Sequence, residues 1–487
     1  MKMIIGGQAV DAADGKTFAV LDPSTMVEID RVPAATKADV DRAVLNARKG
    51  VQEWSAVPLC DRIAVIYRFA DLLETPEHFN KLVEFECTEN GKPIRMAEED
   101  IHTSAYICRA FAEKARNFSG DMIPSACEKG TKDDLVLTFY EPLGIVVCII
   151  PFNYPTNLYC FKAIPALLMG NAVIAKPSSD TPLANIYITQ LFLQAGVPAN
   201  AIQIVTGSGS VMGDWLIDND AIDAVSVTGS CQAGKSIMAN CAKHLHHCHM
   251  ELGGNDPFII FDDCDLELAI EETVNGRIGN AGQTCCASKR YIVQNTIRPQ
   301  FVQKLKEALQ KVKIGDLRDY QTDMGPVISE KAAIEVEQQV QKTISQGAVC
   351  VCGGHRFNRT YIEPTLLDNV TTEMDVAHEM EIFGPVFPVI GFDTLEEAVE
   401  IANDIPYGLQ SAVMTSDIKR ALCVARRMES GACIINGSSN YRHNHQAFGG
   451  RKMTGNGGHE GVQYTLAEMC NTKTIALKRI FDAKGIG

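Results

Sequence analysis

One cysteine in the 487-residue chain has a setting suited to nucleophilic chemistry. It is Cys285, in the run Gly279-Asn-Ala-Gly-Gln-Thr-Cys285-Cys-Ala287, where a Gly-Gln turn follows the end of a predicted helix. A thiolate attacks a carbonyl carbon readily, and backbone amides at such a turn would lower its pKa. Read alone, it suits a buried small hydrophobe better. A carboxylate, Glu251, ends the apolar strand Cys248–Glu251 just before Gly253-Gly254. In a dry cleft its pKa would rise, fitting it to activate a water; a lone glutamate at a loop entrance is more often simply solvated. Asn153 closes the run Ile149-Ile-Pro-Phe152-Asn153-Tyr154-Pro155, where a rigid amide suits a developing oxyanion or the cap of the next helix. Two strand-to-helix turns, Val173-Ile-Ala-Lys176-Pro-Ser-Ser179 and Val225-Ser-Val-Thr228-Gly229-Ser230, suit an anionic ligand at a helix N-terminus, although neither is GxGxxG. The turn Glu381-Ile-Phe383-Gly-Pro385 suits a ribose or an ordinary surface loop.

These residues sit on elements that periodicity marks out. Residues 1–35 read as short strands and turns. Residues 37–120 read as helices, with Thr36 a candidate N-cap. From residue 144 buried strands alternate with helices, which implies a parallel sheet covered on both faces, with ligands at the carboxyl ends of its strands. A second α/β unit runs from about 255 to 450. Residues 122–143 read as a β-hairpin arm, and Thr472–Lys478 as a further strand. Strands apart from the core often pair with another subunit.

A formal net charge of −15 gives no reason to expect a nucleic-acid partner. No stretch approaches the ~20 apolar residues of a membrane helix. The 17 cysteines lie scattered in apolar runs, as reduced thiols of a cytoplasmic protein do. His244, His246, His247 and His249 lack the four-residue spacing of a helical zinc site, so no metal is expected.

Taken together and in order, the blocks Pro-Phe-Asn153-Tyr-Pro, Glu251-Leu-Gly-Gly, Gly282-Gln-Thr-Cys285, Glu381-Ile-Phe-Gly-Pro, Asn403…Tyr407-Gly408-Leu409 and Phe448-Gly449-Gly450 resemble those of the NAD(P)-dependent aldehyde dehydrogenase superfamily over residues 5 to 480. The resemblance implies an α/β fold: a Rossmann-like cofactor domain (1–121 and 144–252), an α/β catalytic domain (253–450), and a small β oligomerisation arm with the C-terminal segment (122–143 and 451–487). Homodimers or homotetramers are implied. So is a nucleophile, Cys285, whose thiohemiacetal oxyanion is held by Asn153 and by the Cys285 amide, with Glu251 activating water to release the acid. Phe152, Lys176, Ser179, Gly229, Ser230, Glu381 and Phe383 would hold NAD or NADP. Serine at 179, where NAD-preferring members often carry glutamate, leaves room for the 2′-phosphate of NADP; Asp180 beside it opposes this.

Arg109 and Arg442 fall near the family's substrate entrance and, if both face inward, would clamp a short anionic aldehyde such as succinate semialdehyde or lactaldehyde. Tyr154 and Thr284 would shape the same chamber. Three other readings stay open: a coenzyme A-acylating dehydrogenase, which often lacks the glutamate; a cysteine hydrolase; and a non-catalytic structural protein on the same fold.

Overall fold

A computed structural model describes residues 1–456 and 459–482, apart from the side chains of 210–212. The chain opens with the hairpin β1 (Met3–Ile5) and β2 (Gln8–Val10), then β3 (Thr17–Leu21) paired with β4 (Glu28–Pro33). Four helices follow: α1 (Lys37–Ser55), α2 (Leu59–Leu73), α3 (Pro76–Phe85) and α4 (Ile94–Arg116). A capping box starts α1, since Thr36 Oγ1 accepts from the Asp39 amide and the Asp39 carboxylate accepts from the Thr36 amide. The same carboxylate accepts from the Ala13 amide at 3.0 Å, tying the N-terminal strands to the helix.

After β5 (Met122–Ile123) and β6 (Leu135–Pro142), the strand-helix alternation yields β7 (Ile145–Ile149), α5 (Pro155–Leu168), β8 (Ala172–Lys176), α6 (Pro182–Ala195), β9 (Ile202–Ile204), α7 (Gly209–Ile217), β10 (Ala224–Thr228), α8 (Cys231–His244) and β11 (His247–Glu251). These strands form one sheet in the order β11-β10-β7-β8-β9-β1-β2, parallel through the first five. The chain leaves β7 toward β8 and returns on the other side with β10, so the order reverses at β7, where a crevice opens at the strand ends. Buried β-branched residues such as Val146, Val147, Val173, Ile174, Val225 and Val227 make these strands apolar on both faces. Helix α5 is buried all round, as befits a helix clamped between a sheet and other helices.

The second sheet, also of seven strands, holds β12 (Asp256–Ile260) and β13 (Ser288–Gln294), linked through α9 (Leu266–Ile278). Its order is Val349–Cys352, Thr365–Val370, Val386–Phe392, β13, β12, Gln410–Met414, Ala432–Ile435. A third sheet pairs Cys470–Leu477 with β6 and β6 with β5. Met122, Phe139, Ile475 and Leu477 on it are exposed.

Two segments differ from the sequence reading. Residues 451–456 and 459–469, grouped there with the arm, pack beside the first sheet instead: Leu252 donates to the Thr454 carbonyl at 2.8 Å, and Glu460 is wholly buried. Cys470–Leu477 pairs with β6, and the Arg479 and Phe481 amides donate to Asp134 and Asp133 of the same arm. Helix α3 falls inside the block read as helical, and the turn Glu86–Asn90 within that block is π-helical.

Replacing Asp39 by Ala leaves the Thr36 and Ala13 amides without this acceptor and should lower stability by about 1–2 kcal/mol, read as an earlier urea midpoint.

Candidate active site

Parallel register sets one wall of the site. Ile149 pairs with Lys176 and with Val227, and Thr228 pairs with Glu251, so four strands end in a row. Beyond those ends lies a cavity of about 640 Å³, bordered by Phe152, Asn153, Lys176, Gly229, Ser230, Leu252, Cys285, Glu381 and Phe383. Helix α8 points its N-terminus here, capped by Ser230 Oγ accepting from the Ala233 amide, and a helix N-terminus favours an anion. Burial brings Lys176 down to about 8. The long groove, with a helix terminus in its wall, a lysine and an acid, fits a nicotinamide dinucleotide.

The opposite wall is the turn carrying the thiol. Asn280, Ala281 and Gly282 all have left-handed φ angles of 48°, 53° and 77°. Only glycine suits the third, because a Cβ there would stand 2.4 Å from the Gly384 carbonyl oxygen. The strained turn is held by its bonds: Asn280 Nδ2 donates to the Asn153 carbonyl (2.9 Å), Asn153 Nδ2 to the Gln283 carbonyl (2.8 Å), and Gln283 Oε1 accepts from the Ile328 amide (2.8 Å). These bonds fix the Asn153 amide beside Cys285 and leave its second N–H for another acceptor. Thr284 Oγ1 lies 3.3 Å from the Tyr154 hydroxyl.

Lys289, buried, donates to the Cys285 carbonyl at 2.5 Å and pairs with Glu381 Oε1 at 3.2 Å. Glu381 also accepts from the Gly254 amide at 3.3 Å. A Cβ on Gly253 would come within 2.3 Å of Glu381 Oε2, so the glycine is what lets this acid reach the groove. Phe383 meets Phe152 edge to face, with centroids 6.0 Å apart.

Glu251 ends its strand in a dry compartment, 3% exposed, with neither carboxyl oxygen hydrogen-bonded. Burial and the nearby Glu460 charge push its pKa well up, against the pull of Lys162 and Arg442. Glu460 accepts from Lys162 at 2.9 Å and from Arg442 at 3.0 Å. Burial opposes its charge, but the two cations prevail and hold it at about 2. The Arg442 guanidinium lies between the rings of Phe448 (3.9 Å) and Phe161 (4.2 Å), and Phe448 packs against Cys285 and Cys286.

Cys285, Asn153, Phe152, Lys176, Gly229, Ser230, Glu381 and Phe383 border one cavity; Tyr154 and Thr284 touch each other beside the thiol turn, and Glu251 and Arg442 lie close enough to each other for their charges to interact. Arg109 is elsewhere: it pairs with Asp71 (2.9 Å) and Glu74 (2.7 Å) on α2, because its stretch of α4 faces that helix, so the two-arginine clamp does not form. Ser179 turns its hydroxyl to the Gly207 carbonyl (3.0 Å), and Ser178 lines the groove in its place. The Cys285 thiol also differs from expectation. Its pKa stands well above the ordinary value because the Cys286 thiol and burial outweigh Lys289 and Arg442. Sequence reasoning missed Lys162, Glu460 and Lys289, and weighed His249 only as part of a histidine cluster without a metal. A lysine inside the apolar run Leu158–Leu168 was the available signal for the first; Glu460 had none.

A doubly wound sheet with a nucleotide groove ending at a thiol defines a nicotinamide-dependent oxidoreductase. The aldehyde dehydrogenase family model matches residues 10–475. A 3-sulfolactaldehyde dehydrogenase of Priestia megaterium is 35% identical over 94% of both chains, and a glutarate-semialdehyde dehydrogenase of Pseudomonas putida is 34% identical over 97% of both. An NADP-dependent enzyme of E. coli superposes with a TM-score of 0.94 at 32% identity over 98% of each chain. Betaine aldehyde dehydrogenase of Staphylococcus aureus in complex with NAD+ does so at 0.94 and 34%, over 98% of this chain and 95% of that one. The chain belongs to the aldehyde dehydrogenase family: it is an oxidoreductase that oxidises an aldehyde with a nicotinamide cofactor. No helix among the described residues is long and apolar enough to cross a membrane.

Glu460→Gln leaves Lys162 buried without its counter-charge and should destabilise by about 3–5 kcal/mol at neutral pH. The native carboxylate's pKa is depressed, so its contribution is complete above its ordinary range near 4.5 and fades as pH falls toward 2. Urea melts of both proteins should therefore converge over that acidic window.

Proposed function

We propose that Cys285 is the nucleophile, Glu251 the general base and Asn153 an oxyanion donor in the oxidation of a short anionic aldehyde to its acid. The observation that carries this reading is a thiol at one end of the nucleotide groove with an unpaired, buried carboxyl close enough for their charges to interact. The Cys285 thiol gives up its proton to solvent as its sulfur bonds to the aldehyde carbon, and the oxyanion accepts from the free Asn153 N–H and the Cys285 amide; one such donor is typically worth about 3–4 kcal/mol. The cofactor, held by Lys176, Gly229, Ser230, Glu381 and Phe383, supplies the two-electron acceptor when bound. What remains on Cys285 is a thioester. Glu251 takes a proton from water as the water oxygen bonds to the acyl carbon; the carbon–sulfur bond then breaks and the acid leaves. The presence of Glu251 favours hydrolysis over transfer to coenzyme A, and the groove beside Ser178 leaves room for NADP as well as NAD.

The anionic substrate rests on charge. Lys162 and Arg442 share one carboxylate, leaving a cation in excess, and Arg442 Nε is buried with no partner. A carboxylate or sulfonate at the far end of the aldehyde would satisfy both. Two relatives carry the names of such substrates, 3-sulfolactaldehyde and glutarate semialdehyde. The exposed apolar residues of the three-stranded sheet support self-association into a dimer or tetramer. All 17 cysteines are unpaired, in keeping with a reducing compartment such as the cytoplasm.

Absorbance assays without coenzyme A should show NAD(P)H formation that Cys285→Ala lowers by ~10³-fold or more. Glu251→Gln should give one NAD(P)H per site and then almost no turnover; full steady-state turnover in that variant would remove Glu251 from the reaction. Arg442→Met should lower kcat/KM at least ~10-fold for anionic aldehydes and spare neutral ones. An equal loss for both classes would reject the charge argument.

A further inference from the structure

Strand β11 carries a second buried group beside Glu251. His249 lies two residues before it, so both side chains leave the strand on one face. The ring is 1% exposed. Its Nδ1 is 3.2 Å from Ser226 Oγ, on the residue directly opposite in β10. Its Nε2 has no partner and stands 3.8 Å from Glu251 Oε1, and neither Glu251 oxygen has a partner. Three buried polar atoms without hydrogen bonds in one compartment are costly to leave so, and native proteins seldom do without a use for them.

Several groups face this compartment. Lys162 reaches in from α5; Arg442, Glu460 and Glu468 come from the C-terminal part of the chain, His247 from the same strand, and Cys285 from the opposite wall. Burial, with Lys162 reinforcing it, brings His249 down to about 4, so the ring is neutral at physiological pH. A neutral imidazole has one N–H and one bare nitrogen. The Ser226 hydroxyl can donate to Nδ1 or accept from it; as the donor it leaves the ring hydrogen on Nε2, aimed at Glu251. The gap is too long for a direct bond. Rotation of the glutamate or one bridging water closes it. A neutral donor supports the carboxylate without locking it in an ion pair, leaving Glu251 able to swing toward the acyl group.

We propose that His249 is a positioning residue for Glu251, its neutral Nε2–H holding that carboxylate ionised, directly or through one water, for the hydrolysis of the acyl-enzyme. The proposal rests on the assignment of Cys285 and Glu251 given above, and deepens it.

p-Nitrophenyl acetate with the full-length enzyme separates the two, since it needs no cofactor. Attack by the Cys285 sulfur on the ester carbonyl releases p-nitrophenolate in a burst and leaves an acetyl thioester; hydrolysis of that thioester sets the steady phase. His249→Leu should keep the burst, slow the steady phase ~10-fold at neutral pH, and move its pH midpoint up by about one unit. His249→Gln, which restores an N–H donor, should recover most of the rate. Should His249→Leu lose the burst as well, Ser226→Ala decides, because it frees the other tautomer with little change in volume. A slowed steady phase with an intact burst in that variant supports the proposal. A steady phase and pH midpoint like the wild type in His249→Leu or in the deciding Ser226→Ala, or a Gln variant as slow as Leu, overturns it. Cys285→Ala releasing p-nitrophenolate as fast as the wild type overturns instead the assignment of Cys285 on which it rests.

Discussion

Glu460 accepts from two cations at once, and each comes from a different part of the chain. Lys162 projects from the middle of α5, a helix buried along almost its whole length, and Arg442 from the loop that leads to Phe448. Taking such ions out of water costs several kcal/mol apiece, and their attraction offsets this only when the geometry is good. Here each carboxylate oxygen serves one cation, at 2.9 and 3.0 Å. The junction fastens the segment after residue 458 to the first sheet. It also sets the Arg442 plane between Phe161 and Phe448, and so fixes the aromatic floor beneath the thiol.

The same junction governs Glu251. A buried carboxyl with no hydrogen bonds ionises reluctantly, and the neighbouring Glu460 charge makes it more reluctant. The unbalanced cation works the other way. Its charge is offset if Glu251 ionises or an anion arrives from outside. An anionic aldehyde would therefore compete with the Glu251 carboxylate for the same field, and the two are best served when Glu251 has a neutral donor of its own. His249 fits that need, since a charged ring would add a further cation beside Lys162 and Arg442.

Much of this was legible in the sequence, for identifiable reasons. Buried strands are continuous apolar runs, and the register that aligns Lys176, Thr228 and Glu251 follows once those runs are paired in parallel. Cys285, Asn153 and Glu381 announce themselves through the glycines and prolines of tight turns beside them. Side-chain direction was not legible. Arg109 lies on an amphipathic helix whose phase could be read, but whether its face met α2 or the entrance depended on a partner helix far away in sequence. Glu460 lies in a segment with no period at all, and its burial results from long-range pairing, as in the bridges between Phe448 and Glu460 and between Glu251 and Gly455. The thiol was misjudged for a related reason. Its turn supplies backbone amides, but the adjacent Cys286 and the dry surroundings dominate its titration.

Lys289 links the remaining parts. It donates to the carbonyl of the residue that carries the thiol and pairs with the acid that borders the groove, so one cation spans both. Glu381 reaches that cation only because Gly253 has no side chain. Any group that draws Glu381 away must loosen its hold on Lys289, and the freed ammonium then has more of its charge to give to the thiol turn. A ligand that hydrogen-bonds to Glu381 would thus act on Cys285 without touching it, in the direction that favours the thiolate. Lys289 is in this way a counter-ion shared between the groove that Glu381 borders and the turn that carries the thiol.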